Sequence, residues 1–255
     1  MPRVLFVAPF AADTTMRFTR ATAELPDVTL GLITQEPLDK FPGDLRRRIT
    51  GFRRVTDAMN VEQLAEAALS IGAEWQAKPE RIIGVLEQLQ VPLAEVRERL
   101  QIRGMDAAEA RNFRDKSQMK DALRAAGLPC AQHRLCGNAG VALEFADQVG
   151  YPLVVKPPAG AGARNTFRVS NRDELRSGLA SMAISESAPV LLEEFITGQE
   201  YSFDTVTLHG VHLFHSIIKY LPAPLDVLEN PWIQWCVMLP RHIDTPEFAP
   251  IFEAG

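Results

Sequence analysis

The stretch YPLVVK at residues 151–156, followed at once by PPAGAGAR at residues 157–164, decides the fold prediction for this chain. The first part is a short apolar run after a proline, which is typical of a buried strand. It ends on Lys156, and the second part supplies Gly160 and Gly162. A cation beside glycines suits a polyphosphate, because the lysine neutralises charge and glycines let backbone N–H groups approach phosphate oxygens. A plain turn after a strand gives the same pattern, so the stretch needs support from elsewhere in the chain.

Size and composition restrict the class of protein. The 255 residues are enough for one large domain or two modest ones. Lys and Arg number 27 against 32 Asp and Glu, a net charge of −5 that gives no support for a nucleic-acid or acidic-membrane partner. The 3 cysteines lack metal-ligand spacing and indicate a reducing compartment. No signal peptide is recognisable, and no apolar run approaches the roughly 20 residues of a membrane helix. We therefore expect a cytoplasmic protein without a membrane partner.

Strands and helices alternate over the first part of the chain. Strands are predicted at residues 4–8, 28–33 and 81–86, and helices beginning near Asp13, after Asn60 and at residues 93–100. Asp13 or Thr14 is the predicted cap of the first helix, and Asn60 and Gln63 form a capping pair for the second. Such alternation is typical of a parallel sheet. We assign residues 1–105 to one α/β domain.

The character changes in the second part of the chain. Helices are predicted at residues 115–126, around Phe145, and after Asn171, with Gly127 ending the first of them. Residues 190–196 are predicted to form a strand. Residues 201–208 and 211–220 are predicted to form a hairpin across His209 and Gly210. Hairpin-connected strands are antiparallel, so this part is α+β.

Three clusters follow one another in this second part. They are Arg114-Asp115-Lys116 at a helix start, Lys156 with its glycine loop, and LEEFITGQE at residues 192–200. As an ordered set they resemble the ATP-grasp superfamily, in particular its carboxylate–amine ligases and biotin carboxylases, from about residue 112 to the last residue. The resemblance implies a pre-ATP-grasp α/β domain at 1–105 and a small lid subdomain with its preceding helix at 106–190. Residues 191–255 are then the start of a second subdomain, incomplete at its C-terminus.

The resemblance also implies which residues bind ATP. Lys116 looks like the lysine that reaches the phosphates from a helix start, and Lys156 like the strand lysine at the α-phosphate. Gly160, Ala161 and Gly162 look like the loop that closes over the β- and γ-phosphates.

The adenosine side of the implied site falls on the third cluster. The backbone of Glu193, Glu194, Phe195 and Ile196 looks like the linker that binds the adenine edge. Glu200 looks like the carboxylate that takes the ribose hydroxyls, since its two acceptor oxygens suit a vicinal diol. Taken singly, Lys116, Glu193 and Glu200 also fit a solvated surface.

Two further residues are candidates for the catalytic side. Lys219, late in the predicted hairpin, lies where some relatives place a second cation at the phosphates. Glu87 follows a predicted strand of the first sheet, and ligands gather outside the carboxyl ends of parallel strands. The same argument extends to Thr14 and Thr15 at a helix N-terminus.

The resemblance implies an ADP-forming ligase that activates a carboxylate as an acyl phosphate for attack by an amine or another nucleophile. Its partners would be small molecules, with ATP and Mg²⁺ as cofactors. No Glu-x-Asn pair that would hold Mg²⁺ occurs late in the sequence, so we expect the metal ligands beyond residue 255. The alternative is an inactive nucleotide-binding or partner-binding module. An incomplete hairpin domain would expose an apolar face and a strand edge, so we also expect a homo-oligomer.

Other motifs are excluded or discounted. The spacing of His209, His212 and His215 is regular, but alternation along a strand puts His212 on the opposite face from the other two, so no metal site is predicted. The first βα turn lacks the glycine fingerprint of dinucleotide-binding proteins, which disfavours a nicotinamide enzyme.

Overall fold

The computed structural model describes residues 1–159, 165–230 and 232–254. The chain forms two compact units, Met1–Met119 and Lys120–Gly255. The predicted fold class, an N-terminal parallel sheet followed by α+β structure, is confirmed. The predicted division at residues 105 and 190 is finer than these two units and stays a prediction. Within the described part of the chain, no helix combines the length and apolar character that crossing a membrane requires.

The first unit is built on a four-stranded parallel sheet in the order β3-β2-β1-β4. The strands are β1 (Arg3–Val7), β2 (Thr29–Thr34), β3 (Ile49–Arg54) and β4 (Arg81–Ile83). The helices are α1 (Asp13–Glu24), α2 (Gly43–Arg46), α3 (Val61–Glu74), α4 (Gln90–Leu100) and α5 (Ala107–Arg114). Helix α6 (Lys116–Ala125) contains the boundary between the units.

Strand β1 shows why this sheet is covered on both faces. Leu5 and Val7 point into a core cluster with Leu64 of α3. Phe6, between them, points into a second cluster with Phe41. Because successive side chains of a strand face opposite sides, an unbroken apolar run predicts helices on both faces, as observed.

Both helices begin where predicted, but the capping interactions differ from the predicted ones. Helix α1 begins at Asp13, yet its cap is Ala12, which has no side-chain bond to the helix, so the predicted cap is wrong. Asn60 caps α3 as predicted, by accepting from the Gln63 N–H at 3.0 Å. The Gln63 side chain does not complete the pair, because its oxygen accepts from the backbone N–H of Thr56 at 2.9 Å instead.

The second unit holds two antiparallel sheets, in the orders β5-β8-β6-β7 and β11-β10-β9. The first contains β5 (His133–Cys136), β6 (Leu153–Lys156), β7 (Phe167–Val169) and β8 (Val190–Glu194), with helices α7 (Ala139–Val149) and α8 (Arg172–Ser181). The second contains β9 (Tyr201–Leu208), β10 (Val211–Leu221) and β11 (Cys236–Met238), and is accompanied by α9 (Pro224–Glu229) and α10 (Ala249–Ala254).

The predicted hairpin is confirmed, and its turn has a simple cause. His209 and Gly210 both have positive φ, 52° and 76°. That is the geometry of the two-residue turn whose twist matches paired strands.

The predicted alternation of the histidines is wrong. A bulge between His212 and Phe214 places Leu213 as an extra residue in β10. As a result, His212 and His215 lie on the same face, and both rings stack on Phe203, with centroids 6.2 and 5.9 Å away. Phe252 of α10 packs on His215 with its ring centroid at 5.0 Å.

Candidate functional site

Lys156 and Glu193 share one face of the β5-β8-β6-β7 sheet. On β6, Leu153 and Val155 point into the helix-covered core, so Lys156 points the other way. On β8, Leu192 points into the same core and Glu193 points away from it. The Lys156 ammonium donates to Glu193 Oε2 at 2.6 Å.

A second lysine, Lys120 of α6, approaches the same carboxylate. Its Nζ lies 3.5 Å from Glu193 Oε1. The three side chains are nearly buried, with exposed fractions of 12% for Lys120, 18% for Lys156 and 8% for Glu193. Two cations therefore surround one anion away from bulk water, which leaves one positive charge in excess. Sequence reasoning missed Lys120, although it lies one helical turn after Lys116.

The carboxylate of Glu193 is not fully satisfied. Its Oε1 atom is buried and has no hydrogen-bond donor among the described residues. Buried polar atoms normally have a donor or acceptor partner. The excess of positive charge fits a ligand that carries negative charge, as a nucleoside phosphate does.

Lys116 owes its position to the residue before it. Asp115 ends α5 and caps α6, since its Oδ1 accepts from the N–H groups of Ser117 at 2.8 Å and Gln118 at 3.1 Å. Lys116 is thus the first residue of the helix, as predicted. Its role at the phosphates stays a prediction.

The predicted linker residues at the end of β8 and just after it contact different neighbours. The Glu194 carboxylate accepts from the backbone N–H of Gln132 at 3.0 Å and from its side chain at 2.9 Å, so it holds two strand ends together. The Phe195 ring lies 5.2 Å from the Arg168 guanidinium carbon. Ile196 is 64% exposed, which leaves its side chain free to cover a ligand.

Glu200 lies within electrostatic range of the lysine cluster. Burial raises the pKa of its carboxyl group above the usual value, and Asp226 adds to that rise. Lys156 acts in the opposite direction and lowers the same pKa. The ribose contact of Glu200 stays a prediction.

The two predicted catalytic residues are paired with other side chains. Lys219 Nζ lies 3.6 Å from Glu247 Oε1 and 5.5 Å from the centroid of the Tyr201 ring, and its hydrogen bond to Tyr201 raises its pKa. Glu87, in the first unit just after β4, accepts from Arg114 Nη1 at 2.9 Å. Their catalytic roles stay predictions. The predicted contacts of Gly160, Ala161 and Gly162 lie outside the described residues.

The described residues do not fit a magnesium site. No group of three or more His, Cys, Asp or Glu side chains in residues 1–159, 165–230 and 232–254 comes together in a way that could hold a metal ion.

Comparison with known proteins supports a nucleotide site in this region. Residues 115–203 match the family described as carbamoyl-phosphate synthase L chain, ATP binding domain. The chain is 30% identical over 128 residues to the C-terminal section of the carbamoyl phosphate synthase large chain of Methanopyrus kandleri, covering 47% of this chain and 23% of that protein. It is 36% identical over 93 residues to the large chain of Haemophilus ducreyi, covering 36% of this chain and 8% of that protein.

Solved structures share the fold over most of the chain. An L-amino acid ligase from Bacillus licheniformis matches with a TM-score of 0.75 at 18% identity, over 100% of this chain and 58% of that one. The biotin carboxylase domain of the Hydrogenobacter thermophilus 2-oxoglutarate carboxylase, solved with MgADP and bicarbonate, matches with a TM-score of 0.67 at 17% identity, over 87% of this chain and 53% of that one.

Fold and sequence together define a nucleotide-binding class of protein. The chain is an ATP-grasp superfamily protein. It spans less than a quarter of the length of the two carbamoyl phosphate synthase relatives named above.

Proposed function

We propose that this chain binds ATP and serves an ADP-forming ligase that activates a carboxylate as an acyl phosphate. The observation that carries the proposal is the convergence of Lys120 and Lys156 on the buried Glu193 carboxylate. Positive charge fixed in a water-poor site stabilises phosphate oxygens more than it would in water. The match of residues 115–203 to an ATP-binding domain covers all three of these residues.

In the proposed reaction, a carboxylate oxygen attacks the γ-phosphorus of ATP, and the bond to the bridging oxygen breaks to release ADP. An amine or another nucleophile then attacks the acyl carbon and displaces phosphate. Lys156 and Lys120 would bind phosphate oxygens and so spread the charge that develops during transfer. The Glu193 carboxylate would position both lysines, and the backbone of residues 193–196 would bind the adenine edge. Lys116 would add a further cation at the phosphates.

ATP binding is tested first, by calorimetric titration of the full chain with ATP. Lys156→Ala should weaken binding at least tenfold, as expected for the loss of one charge-assisted contact of about 1.5–3 kcal/mol. Lys40→Ala, which removes an exposed lysine of the first unit, is the matched control and should bind as the unaltered chain does. Unchanged ATP affinity in Lys156→Ala would refute the assignment.

Ligase activity needs a separate assay. Release of ADP is measured with Mg²⁺ while carboxylates and amines are supplied in pairs. ADP release that requires both a carboxylate and a nucleophile supports the ligase. ATP binding without any such release, across bicarbonate, amino acids and other metabolite acids, favours the non-catalytic nucleotide-binding module for this chain.

A further inference from the structure

The first unit contains a cleft that the proposed ATP site does not explain. It has a volume of about 420 Å³ and is formed by β4, α4 and the loop before α5. Ligand sites in proteins commonly have volumes of this order. All of its lining residues belong to the first unit, whereas Lys120, Lys156 and Glu193 belong to the second.

Three arginines line this cleft: Arg81, Arg97 and Arg103. None of them forms an ion pair with a carboxylate among the described residues. Of the acidic groups nearby, Glu80 pairs with Arg3 at 2.9 Å, whereas Glu98 interacts electrostatically with Arg97 from outside the lining. The side chains that line the cleft therefore include three cations and, among the described residues, no acidic group.

Arg97 is the most constrained of the three. Its Nε donates to the Met105 carbonyl at 2.9 Å and its Nη1 to the Ile82 carbonyl at 3.3 Å. Burial lowers the pKa of this guanidinium, and the nearby Glu98 carboxylate offsets part of that effect. Gly104 makes the arrangement feasible, because a Cβ atom there would lie 2.9 Å from Arg97 Nε.

Apart from Gln90, the side chains in the remaining walls of the cleft are apolar. They include Ile83, Leu93, Met105 and Phe113, of which Phe113 is 68% exposed and Met105 40% exposed. A guanidinium presents its N–H groups in a planar fork that matches a carboxylate. Exposed apolar side chains beside such a fork add a surface for an apolar group.

We propose that this cleft binds a small organic carboxylate with an apolar body. The ligand's carboxylate would accept from Arg103 and from the Arg97 N–H groups that do not donate to Met105 or Ile82. The ligand's apolar part would lie on Met105 and Phe113. This inference goes beyond the proposed ligase function and does not depend on it.

The test uses the full chain with methionine methyl groups labelled with ¹³C, and phenylacetate as the probe. The Met105 resonance, assigned with Met105→Leu, should shift saturably, while that of Met182 in the second unit should not. Arg103→Gln should raise the dissociation constant about tenfold, since a charge-assisted contact is lost. Arg99→Gln is the matched control, because Arg99 lies on α4 outside the cleft and pairs with Glu62.

Two further probes sharpen the result. Phenylacetamide, which lacks the charge, and inorganic phosphate, which lacks the apolar body, should both bind at least tenfold more weakly than phenylacetate. Lys156→Ala should leave phenylacetate binding unchanged. The proposal is overturned if Met105 does not respond, if the amide or phosphate binds equally well, or if Arg103→Gln and Arg97→Gln both bind phenylacetate with unaltered affinity.

Discussion

The ammonium group of Lys156 lies 2.6 Å from Glu193 Oε2, between two neighbouring strands and nearly out of contact with solvent. A buried ion pair contributes little over an apolar pair, but removing one partner is costly because the other charge is left uncompensated. In this cluster the single anion holds two cations. The cost of losing Glu193 should therefore exceed the cost of losing either lysine.

Glu193→Gln is expected to lower the free energy of unfolding by about 3 kcal/mol, because two ammonium groups then lie together without a carboxylate. Urea unfolding measures the change. Adding Lys120→Met to this variant should recover part of the loss by removing one uncompensated charge. Glu144→Gln, at an exposed pair with a 3.8 Å separation, is the control and should cost less than about 1 kcal/mol. Equal losses in Glu193→Gln and Glu144→Gln would contradict the expected role of the cluster.

Lys120→Met is expected to weaken ATP binding about tenfold, provided that Lys120 shares the phosphate charge with Lys156. Lys120→Arg should retain more of the affinity, since it keeps the positive charge. Calorimetric titration measures both. Gln118→Ala, an exposed position on the same helix, should leave the affinity unchanged. If Lys120→Met binds ATP with unchanged affinity, Lys120 does not contact the phosphates and only pairs with Glu193.

The thiol of Cys136 is expected to resist alkylation in the folded protein. Cys136 is fully buried, and burial raises its pKa to about 11. Thiolate is the reactive form, so at pH 8 iodoacetamide should label the exposed Cys236 and leave Cys136 unmodified until the chain unfolds. Mass spectrometry of digested protein measures the labelling. Equal labelling rates for Cys136 and Cys236 without denaturant would contradict the buried position of the Cys136 thiol.

The raised pKa of Cys136 should also make the folded protein less stable at high pH. The folded state holds the Cys136 proton more tightly than the unfolded state does, so the stabilisation is complete below about pH 8.5, the ordinary thiol pKa. It is lost as the pH rises from there towards 11. The free energy of unfolding should therefore fall over this window, and the fall should be smaller in Cys136→Ala. An identical pH dependence in both proteins would argue against the raised pKa.

Gly178→Ala is expected to destabilise the second unit, although alanine is the better helix former by about 1 kcal/mol. A Cβ atom at this position of α8 would lie 2.7 Å from Phe167 Cζ on β7. Overpacking of this kind typically costs about 1–3 kcal/mol, which outweighs the gain in helix propensity. Gly140→Ala in α7 meets only the Asn138 side chain, at 3.3 Å, and should be neutral or stabilising. Thermal unfolding of both variants makes the comparison.

Much of the fold could be predicted because the apolar pattern was unambiguous. The buried run of β1 and the cap at Asn60 are local signals that tertiary packing did not override. Strand β5 was not predicted, because HRLC at residues 133–136 is short and half polar, and only its pairing with β8 makes it a strand. Helix α5 was likewise not predicted, because AAEARNFR at residues 107–114 is short and Phe113 is its only large apolar side chain.

The candidate site was predicted less completely than the fold. Lys156 and Glu193 were predicted as site residues separately, and nothing in the sequence predicts the 2.6 Å hydrogen bond between their side chains. Lys120 could have been found from its four-residue spacing to Lys116, which puts both on one side of a helix. The bulge at Leu213 could not have been predicted from the sequence, because an extra residue in one strand is defined only by the partner strand that it faces.

That bulge also affects how the hairpin meets other chains. Strand β9 is the outer strand of its sheet, and Val206 and Leu208 near its tip are more than half exposed. A flat outer strand of this composition would be a template for intermolecular strand addition and fibre growth. The extra residue in β10 increases the local twist, and a twisted ribbon is a poor match for the straight strand of a neighbour. We therefore expect the bulge that places His212 and His215 on one face also to disfavour strand addition along this edge.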